Sequence, residues 1–491
     1  MVIISNELVD GTSTLERDEL LRRFYARDHE NDGAFVVGVV TTGIYCLPSC
    51  RARSPKPENV RFFSTEEEAR SVGLRPCLRC HPERFYRRFD PDRERLRGLA
   101  ARVRRNPAAC SEASGLGTKI GVGATKLNAL FRRHYHVTPA AFLARARVQR
   151  AMESLAERRS GVLEAAEESG FESASAFHEN FRALTGLTPA AFRELGEPGF
   201  TVALPADGPG TLGELRAFFG RDERGRTERV QGERLAKALV LDGAPVRIEL
   251  EPDGRNVNVR LSTSRPLSRQ AWIRAHACVV RWLGLESDAP GFERRAGRSH
   301  DIARLVRGRS GLRIPRVADA FEGLVWVVVG AQVNVAFAAQ CRSALIELAG
   351  TPCGPDFVAH PAPEEVARLD YSDLERLKFS RRKAEYLIDA ARAIVAGELD
   401  LEALRLEPAT LVQETLGAVR GLGPWSVQYL ALRAYGFEDC VPAGDVALAE
   451  ALRRFFALEE RPAPAEVERL MEPFAPHRSL ATYHLWKTLS S

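Results

Sequence analysis

The spacing of apolar positions changes character repeatedly along the chain. Residues 15–27 place them at helical intervals, and residues 34–45 form a β-rich stretch, so the chain opens as an amphipathic helix followed by strands and a basic tail around Arg88. Further on, Phe131-Arg-Arg-His-Tyr-His-Val-Thr-Pro-Ala-Ala-Phe142 is echoed by Phe181-Arg-Ala-Leu-Thr-Gly-Leu-Thr-Pro-Ala-Ala-Phe192, which implies two copies of one helical unit. Residues 197–211 are punctuated by Pro and Gly and read as a domain boundary. Strict alternation follows in Val246-Arg-Ile-Glu-Leu250 and Val257-Asn-Val-Arg-Leu261, two antiparallel strands joined through Glu-Pro-Asp-Gly-Arg-Asn. After Pro315 the period is helical to the end, broken at Gly330, Gly350, Gly397 and Gly421 to Gly423, and an all-α region is expected.

A chain of 491 residues exceeds what one hydrophobic core supports, and about three domains are expected. With 45% hydrophobic and 27% charged residues, disorder is not the default. The formal charge of +5 is modest, but arginine crowds locally, as in Arg84, Arg87 and Arg88, then Arg93, Arg95 and Arg97, and such faces suit phosphate. No basic leader with a long apolar run opens the chain, and its most apolar stretch, residues 324–335, is too short to span a bilayer. A cytoplasmic protein without membrane contact is expected.

Of nine cysteines, five (Cys110, Cys278, Cys341, Cys353, Cys440) are scattered, whereas Cys46-x3-Cys50 and Cys77-x2-Cys80 form two close pairs. That layout lets four thiolates meet around one zinc ion. Spacing alone favours a structural zinc site, since closed four-cysteine sites usually only hold a fold. The context, Thr41-Thr-Gly-Ile-Tyr-Cys-Leu-Pro-Ser-Cys-Arg-Ala-Arg53 and Leu74-Arg-Pro-Cys-Leu-Arg-Cys-His-Pro82, resembles the N-terminal domain of the Ada family. The resemblance implies that Cys46 accepts a methyl group from a DNA methyl phosphotriester, and that Thr42, Arg53 and Arg75 contact DNA. Zinc keeps the sulfur a thiolate, the species that attacks carbon. Methylating one of four thiolates reduces the negative charge facing DNA phosphates, so binding should tighten.

Ala166-Glu-Glu-Ser-Gly-Phe171, then Ser173-Ala-Ser-Ala-Phe177, gives a short helix, a glycine turn and a second helix. The span of residues 106–195 resembles the AraC-type tandem helix-turn-helix domain, with Ser175, Ala176 and His178 as candidates for base contact. In the first copy Gly115, Gly117, Gly121 and Gly123 interrupt the pattern, each interior glycine costing a helix about 1 kcal/mol.

Leu416-Gly-Ala-Val-Arg-Gly-Leu-Gly-Pro-Trp-Ser-Val-Gln428 joins two helical stretches through a Gly-x-Gly hairpin, where Gly421 and Gly423 let backbone N–H groups approach a phosphate. Val441-Pro-Ala-Gly-Asp445 follows at the spacing of the helix-hairpin-helix glycosylases. Asp445 precedes Val446-Ala-Leu-Ala-Glu-Ala-Leu452 and reads on its own as a helix N-cap. From about residue 200 to the end, including Gly311-Leu-Arg-Ile-Pro-Arg-Val-Ala-Asp-Ala-Phe-Glu322, the chain is similar to AlkA-type DNA-3-methyladenine glycosylases. The resemblance implies that Asp445 is the catalytic carboxylate, that Phe218, Trp425, Tyr429 and Trp486 line a pocket for a flipped base, and that Gln332 wedges into the DNA. Trp425 stands where lyase-type relatives carry lysine, which implies a hydrolytic, monofunctional enzyme, and Val446 replaces a pocket tyrosine.

The expected architecture is multidomain and mainly α with α+β parts. It comprises a small α+β zinc domain over 1–92, an all-α tandem helix-turn-helix over 96–196, an α+β antiparallel-sheet domain over 200–310, and an all-α helix-hairpin-helix glycosylase domain over 311–491. Its partners would be double-stranded DNA, methylated or alkylated, promoter DNA and RNA polymerase, with the chain monomeric. The Pro-Cys-His-Arg run of a second Ada methyltransferase domain is absent. A regulator whose C-terminal half binds distorted DNA without catalysis is the alternative from another class.

Overall fold

The computed structural model describes residues 7–10, 13–86, 90–157, 161–205, 209–221 and 224–489; Arg87 and Arg88 of the expected basic tail lie outside these. The chain divides into two compact units, Met1–Arg95 and Leu96–Ser491. The architecture is mainly α with α+β parts, as the periodicities predict.

In the first unit, the strands β1 (Glu7–Asp10) and β2 (Ser13–Glu16) pair antiparallel, and the helix Arg17–Ala26 follows. The strands β3 (Val36–Val39), β4 (Ile44–Cys46), β5 (Val60–Phe63) and β6 (Arg75–Pro76) form a sheet ordered β5-β3-β4-β6. The β3–β4 hairpin turns through Thr41 to Gly43, and β6 runs parallel to β4 with Ile44 opposite Arg75. That pairing brings the two cysteine pairs together: Cys46 ends β4, and the Cys77 amide just beyond β6 donates to the Tyr45 carbonyl. Tyr45 is buried, its hydroxyl donating to Glu66 at 2.7 Å and accepting from Arg70 at 3.0 Å, which braces the strand that presents Cys46.

The repeated Thr-Pro-Ala-Ala-Phe segment proves to be a helix start. Thr138 and Thr188 are N-caps whose side chains accept from the amides of Ala141 and Ala191, Pro fills the first turn, and Phe142 and Phe192 are buried. The second copy folds as the helices Val162–Glu168 and Ala174–Thr185 around Gly170, at φ 84°, where a Cβ would lie 2.6 Å from the Ala108 backbone. In the first copy the glycines replace the leading helix by two 3-10 turns, Ala113–Leu116 and Thr118–Ile120, while the following helix, Ala124–Tyr135, is intact.

The strands β7 (Phe200–Ala203), β8 (Glu228–Gln231), β9 (Arg234–Leu241), β10 (Ala244–Asp253) and β11 (Asn256–Thr263) form an antiparallel sheet ordered β7-β11-β10-β9-β8. Only β10 and β11 are explicit in the sequence alternation. β7 lies within the Pro/Gly-rich segment read as punctuation, and it is strand because Val257 and Val259 offer it an edge. The region beyond Pro315 is helical except for the short strands β12 (Thr351–Pro352) and β13 (Val358–Ala359), a departure from the all-α expectation. They form because Val358 is tied to the sheet domain: its amide donates to Arg226 O and its carbonyl accepts from Thr227 Oγ1.

One apolar core runs from the second helix-turn-helix copy into this sheet, joining Leu155, Phe177, Phe181 and Phe192 to Val202, Ile248 and Trp282. Polar clamps reinforce it. Arg269, in the first turn of the helix Arg269–Trp282, donates to the carbonyls of Leu155, Ala156, Arg193 and Leu195, at or just past the C-terminal ends of two helix-turn-helix helices. His276 Nε2 meets the Thr185 carbonyl at 2.8 Å; burial holds its pKa down to about 4, so the neutral ring donates. The regions 96–196 and 200–310 are thus packed as one body. Replacing Arg269 by Ala orphans helix-end carbonyls in both helices and should cost about 2–4 kcal/mol. Denaturant unfolding should show the loss as a lowered midpoint of one transition shared by both regions; two separate transitions in the wild type would count against a common body.

Candidate functional site

The four sulfurs of Cys46, Cys50, Cys77 and Cys80 lie within 4.8 Å of one another. Thiolates about 2.3 Å from a tetrahedral ion stand roughly 3.8 Å apart, so the donor set fits zinc in number, type and size. The other five cysteines are buried elsewhere and take no part. Hydrogen bonds from Cys46 and Cys80 hold the Cys50 thiol down at about 2, while the same crowding drives Cys46 strongly upward. The Arg79 amide donates to the Cys77 sulfur at 3.5 Å. Of the expected DNA contacts, Thr42 lies in the β3–β4 turn, and the Arg75 amide donates to Gly43 O beside it. Thr42, Arg53 and Arg75 are all exposed.

In the second unit the Gly-x-Gly hairpin links the helices Ala409–Gly417 and Pro424–Arg433. Gly421 sits at φ 95° with its Cα against the Tyr386 ring, where a Cβ would come within 2.3 Å, so no other residue fits without displacing the hairpin. Gly421 and Gly423 are exposed at its tip. Gln332 is exposed in the turn between the helices Ala320–Gly330 and Val335–Ala349, at φ 57°, a left-handed conformation that glutamine seldom adopts. On the recognition-helix candidate Ala174–Thr185, Ser175, Ala176 and His178 are exposed.

Asp445 is the N-cap of the helix Val446–Phe455, its Oδ1 accepting from the Leu448 amide at 2.8 Å. Two indoles also converge on it: Trp486 Nε1 donates to Oδ1 at 3.0 Å and Trp425 Nε1 to Oδ2 at 2.9 Å. A carboxylate accepts about four hydrogen bonds, so the three found fix its orientation and leave capacity for one more. Tyr429 lies between the indoles, its ring 5.3 Å from Trp425 and 6.0 Å from Trp486. Phe218 joins the group through Arg433, whose guanidinium lies 5.1 Å from the Phe218 ring, 5.9 Å from Tyr429 and 5.7 Å from Trp486. All four expected aromatics therefore gather near Asp445, while Val446 is exposed beyond it.

Sequence reasoning missed the charges beneath this pocket. Lys237, fully buried on β9, contacts Glu228 at 2.7 Å and Glu322 at 2.6 Å, and Arg342 bonds both carboxylates at 2.8–2.9 Å. Glu228, Glu322 and Arg342 border the same cavity as Phe218, Tyr429 and Arg433. The available signal was a lone charge in an apolar run, as with Glu322 in Ala320-Phe-Glu-Gly-Leu-Val-Trp326.

Sequence models match three stretches: the metal binding domain of Ada at residues 19–83, a helix-turn-helix domain at 116–195, and the HhH-GPD superfamily of base excision DNA repair proteins at 325–476. The DNA-3-methyladenine glycosylase of Bacillus subtilis is 30% identical over 234 residues, 47% of this chain and 77% of that protein. The chain belongs to the DNA-3-methyladenine glycosylase family. Over 95% of both chains it is also 29% identical to a Mycobacterium tuberculosis protein described as a probable bifunctional transcriptional activator/DNA repair enzyme AlkA, so the family's glycosylase portion here stands in a whole-length fusion shared with that relative. The 3-methyladenine DNA-glycosylase of Archaeoglobus fulgidus, at 21% identity and a TM-score of 0.52, covers 58% of this chain and 97% of its own and shares the fold. Within this family member the cysteine cluster is the zinc site of an Ada-type domain. No helix among the described residues is long and apolar enough to cross a membrane.

The charge quartet makes a pH prediction. Burial alone would raise the pKa values of Glu228 and Glu322, but Arg342 and Lys237 hold both below the usual glutamate range. A carboxylate depressed in the folded state contributes stability above its unfolded pKa, about 4.3, and that contribution is lost as pH falls toward the folded value. Lys237, raised despite its burial, stabilises below about 10.4 and loses that contribution at higher pH. Unfolding midpoints should therefore be flat at neutral pH and fall in acid. Lys237→Met, leaving two buried carboxylates with one cation, should cost about 3–5 kcal/mol and flatten the acid limb.

Proposed function

We propose that this protein is a bifunctional adaptive-response protein that removes methyl groups from DNA methyl phosphotriesters onto Cys46, thereby activating transcription of repair genes, and excises alkylated bases such as 3-methyladenine with Asp445. The observation that carries the excision reading is the clamp on Asp445, a carboxylate held by a helix N-terminus and by two indoles that are themselves pocket walls. Gln332 fills the space left by the extruded nucleotide, and the 421–423 hairpin holds a backbone phosphate. The Asp445 carboxylate stabilises the positive charge that develops on deoxyribose as the C1′–N bond breaks and its electron pair leaves with the base. Water then bonds to C1′ and loses its proton. No amine occupies the place of Trp425, so the product is an intact abasic site.

For methyl transfer, zinc when bound keeps the cysteine sulfurs as thiolates. Cys46, the first cysteine of the Ada-type cluster and the end of β4, is the acceptor. Thr42 in the β3–β4 turn and Arg75 on the neighbouring β6 are the phosphate contacts, together with Arg53. Residue exposure favours a second acceptor, Cys80, the least buried of the four.

On methylated duplex DNA, wild type should release 3-methyladenine measurable by chromatography. Asp445→Asn should lose at least about 100-fold of the single-turnover rate, the scale of one lost transition-state electrostatic contact. Equal release by both would remove Asp445 from the chemistry. After incubation with DNA bearing methyl phosphotriesters, mass spectrometry of the digested protein should place one added methyl on Cys46, and Cys46→Ala should abolish methylation-dependent promoter binding. A methyl on Cys80 would overturn the assignment.

A further inference from the structure

Two of the loops assigned to DNA are held by one helix. The turn that carries Gln332 is short, running from Ala331 to Val333 between the helix Ala320–Gly330 and Asn334, the N-cap of the next helix, whose side chain accepts from the Phe337 amide at 2.8 Å. Ala331 is extended at φ −60° and ψ 126°, and the left-handed residue is Gln332 at φ 57° rather than a glycine. The last carbonyls of a helix have no partner within it, so a chain that leaves in this way gains from an outside donor that fixes where it leaves. Lys383 is such a donor. From the first turn of the helix Arg381–Val395 its Nζ donates to the Val329 carbonyl, one residue before the end of the helix Ala320–Gly330, at 2.7 Å. The ammonium stands at the negative end of that helix's dipole. Its side chain is half-buried, and burial draws its pKa down, so the contact is made against a desolvation cost.

The same helix grips the Gly-x-Gly hairpin. Tyr386, one turn after Lys383, carries the ring against which Gly421 lies. Glu385 accepts from Arg420 Nη2 at 2.8 Å and Asp389 from Arg420 Nη1 at 3.4 Å, while the Arg420 guanidinium lies 5.3 Å from the Tyr386 ring. Lys383 and Asp389 stand about 9 Å apart along the helix axis, so a rigid element, rather than the loops themselves, spaces the wedge from the phosphate grip. Extrusion of a nucleotide depends on that spacing. The hairpin fixes the DNA backbone, and the wedge must enter the stack at one step measured from it. A turn free to shift by about 3.4 Å, the rise of one base step, fills the wrong gap.

We propose that Lys383 is a positioning residue for base extrusion: by tying the Gln332 turn to the helix that also holds the hairpin, it keeps the wedge in register with the gripped backbone. This role rests on the glycosylase reading above. Its test uses the full-length protein and duplex oligonucleotides that carry one 7-methylguanine, placed opposite cytosine or opposite an abasic site, where extrusion costs less. Lys383→Met should slow single-turnover release opposite cytosine at least about tenfold and release opposite the abasic site less than about twofold, with affinity for undamaged duplex unchanged within about threefold. Lys383→Arg, which can still donate to the carbonyl, should restore most of the rate. Added to Gln332→Ala, Lys383→Met should slow release no further. No slowing, equal slowing on both substrates, or a loss that adds in full to that of Gln332→Ala would overturn the role. Should Lys383→Met fail to fold, Lys383→Gln, one atom shorter than lysine, is held to the same outcomes. Release of no base by wild type would sink the glycosylase reading, and the fluorescence of 2-aminopurine beside the 7-methylguanine then decides for Lys383 alone. Bound wild type should unstack the probe and raise its signal, Lys383→Met should not, and equal signals overturn the proposal.

Discussion

Everything around the candidate base site depends on four buried charges that must stay paired. Lys237 and Glu228 come from the antiparallel sheet, Glu322 and Arg342 from the helical region, and each cation bonds both carboxylates. Desolvating four charges is expensive, and an apolar quartet of equal volume would hold the two layers together at least as well. What the ionic version adds is register, since hydrogen bonds of 2.6–2.9 Å tolerate little sliding of the helix Ala320–Gly330 across β8 and β9. That helix ends at Gly330, two residues before Gln332, and Glu228, Glu322 and Arg342 border the cavity of Phe218, Tyr429 and Arg433. The layer contact and the pocket geometry are one constraint.

Local signals made much of this legible. Four cysteines in two close pairs pointed to one tetrahedral site, and the strands that assemble it were partly visible as the β-rich stretch before Cys46. The repeated Thr-Pro-Ala-Ala-Phe could be read as a repeat because an N-cap, a first-turn proline and a buried phenylalanine are written within five residues. Gly421 and Asp445 were readable for the same reason: a positive φ and a helix N-cap are local demands. β7 was not, because its strand character comes from the edge of β11, more than 50 residues downstream. Nor were the Arg269 and His276 clamps, whose partners are backbone carbonyls, and a carbonyl has no letter in the sequence.

The boundary at residues 197–211 shows how composition can point to a real feature and misjudge its consequence. Pro and Gly do mark the end of the helix-turn-helix there. Gly199, at φ 153°, lets the chain pass 2.2 Å, as measured to a would-be Cβ, from the Val259 carbonyl and enter the sheet at once. At Gly186 a Cβ would come within 2.4 Å of the Val202 side chain. Close backbone approach, the same property that makes glycine a linker residue, here seals two regions into one core. A transcriptional module and a repair module sharing a core cannot drift apart in stability: a mutation that loosens either loosens both.

Charge placement separates the two kinds of chemistry this chain assembles. At the cysteine cluster, four sulfurs gather within reach of one metal ion, whose charge would offset that of the thiolates. In the second unit, the Asp445 carboxylate is held by the Trp425 and Trp486 indoles, while the Arg433 guanidinium lies 5.9 Å from the Tyr429 ring. A pocket of rings alone would rank bases by stacking, and so by positive charge. With both a carboxylate and a guanidinium fixed among the rings, charge as well as stacking acts on whatever enters.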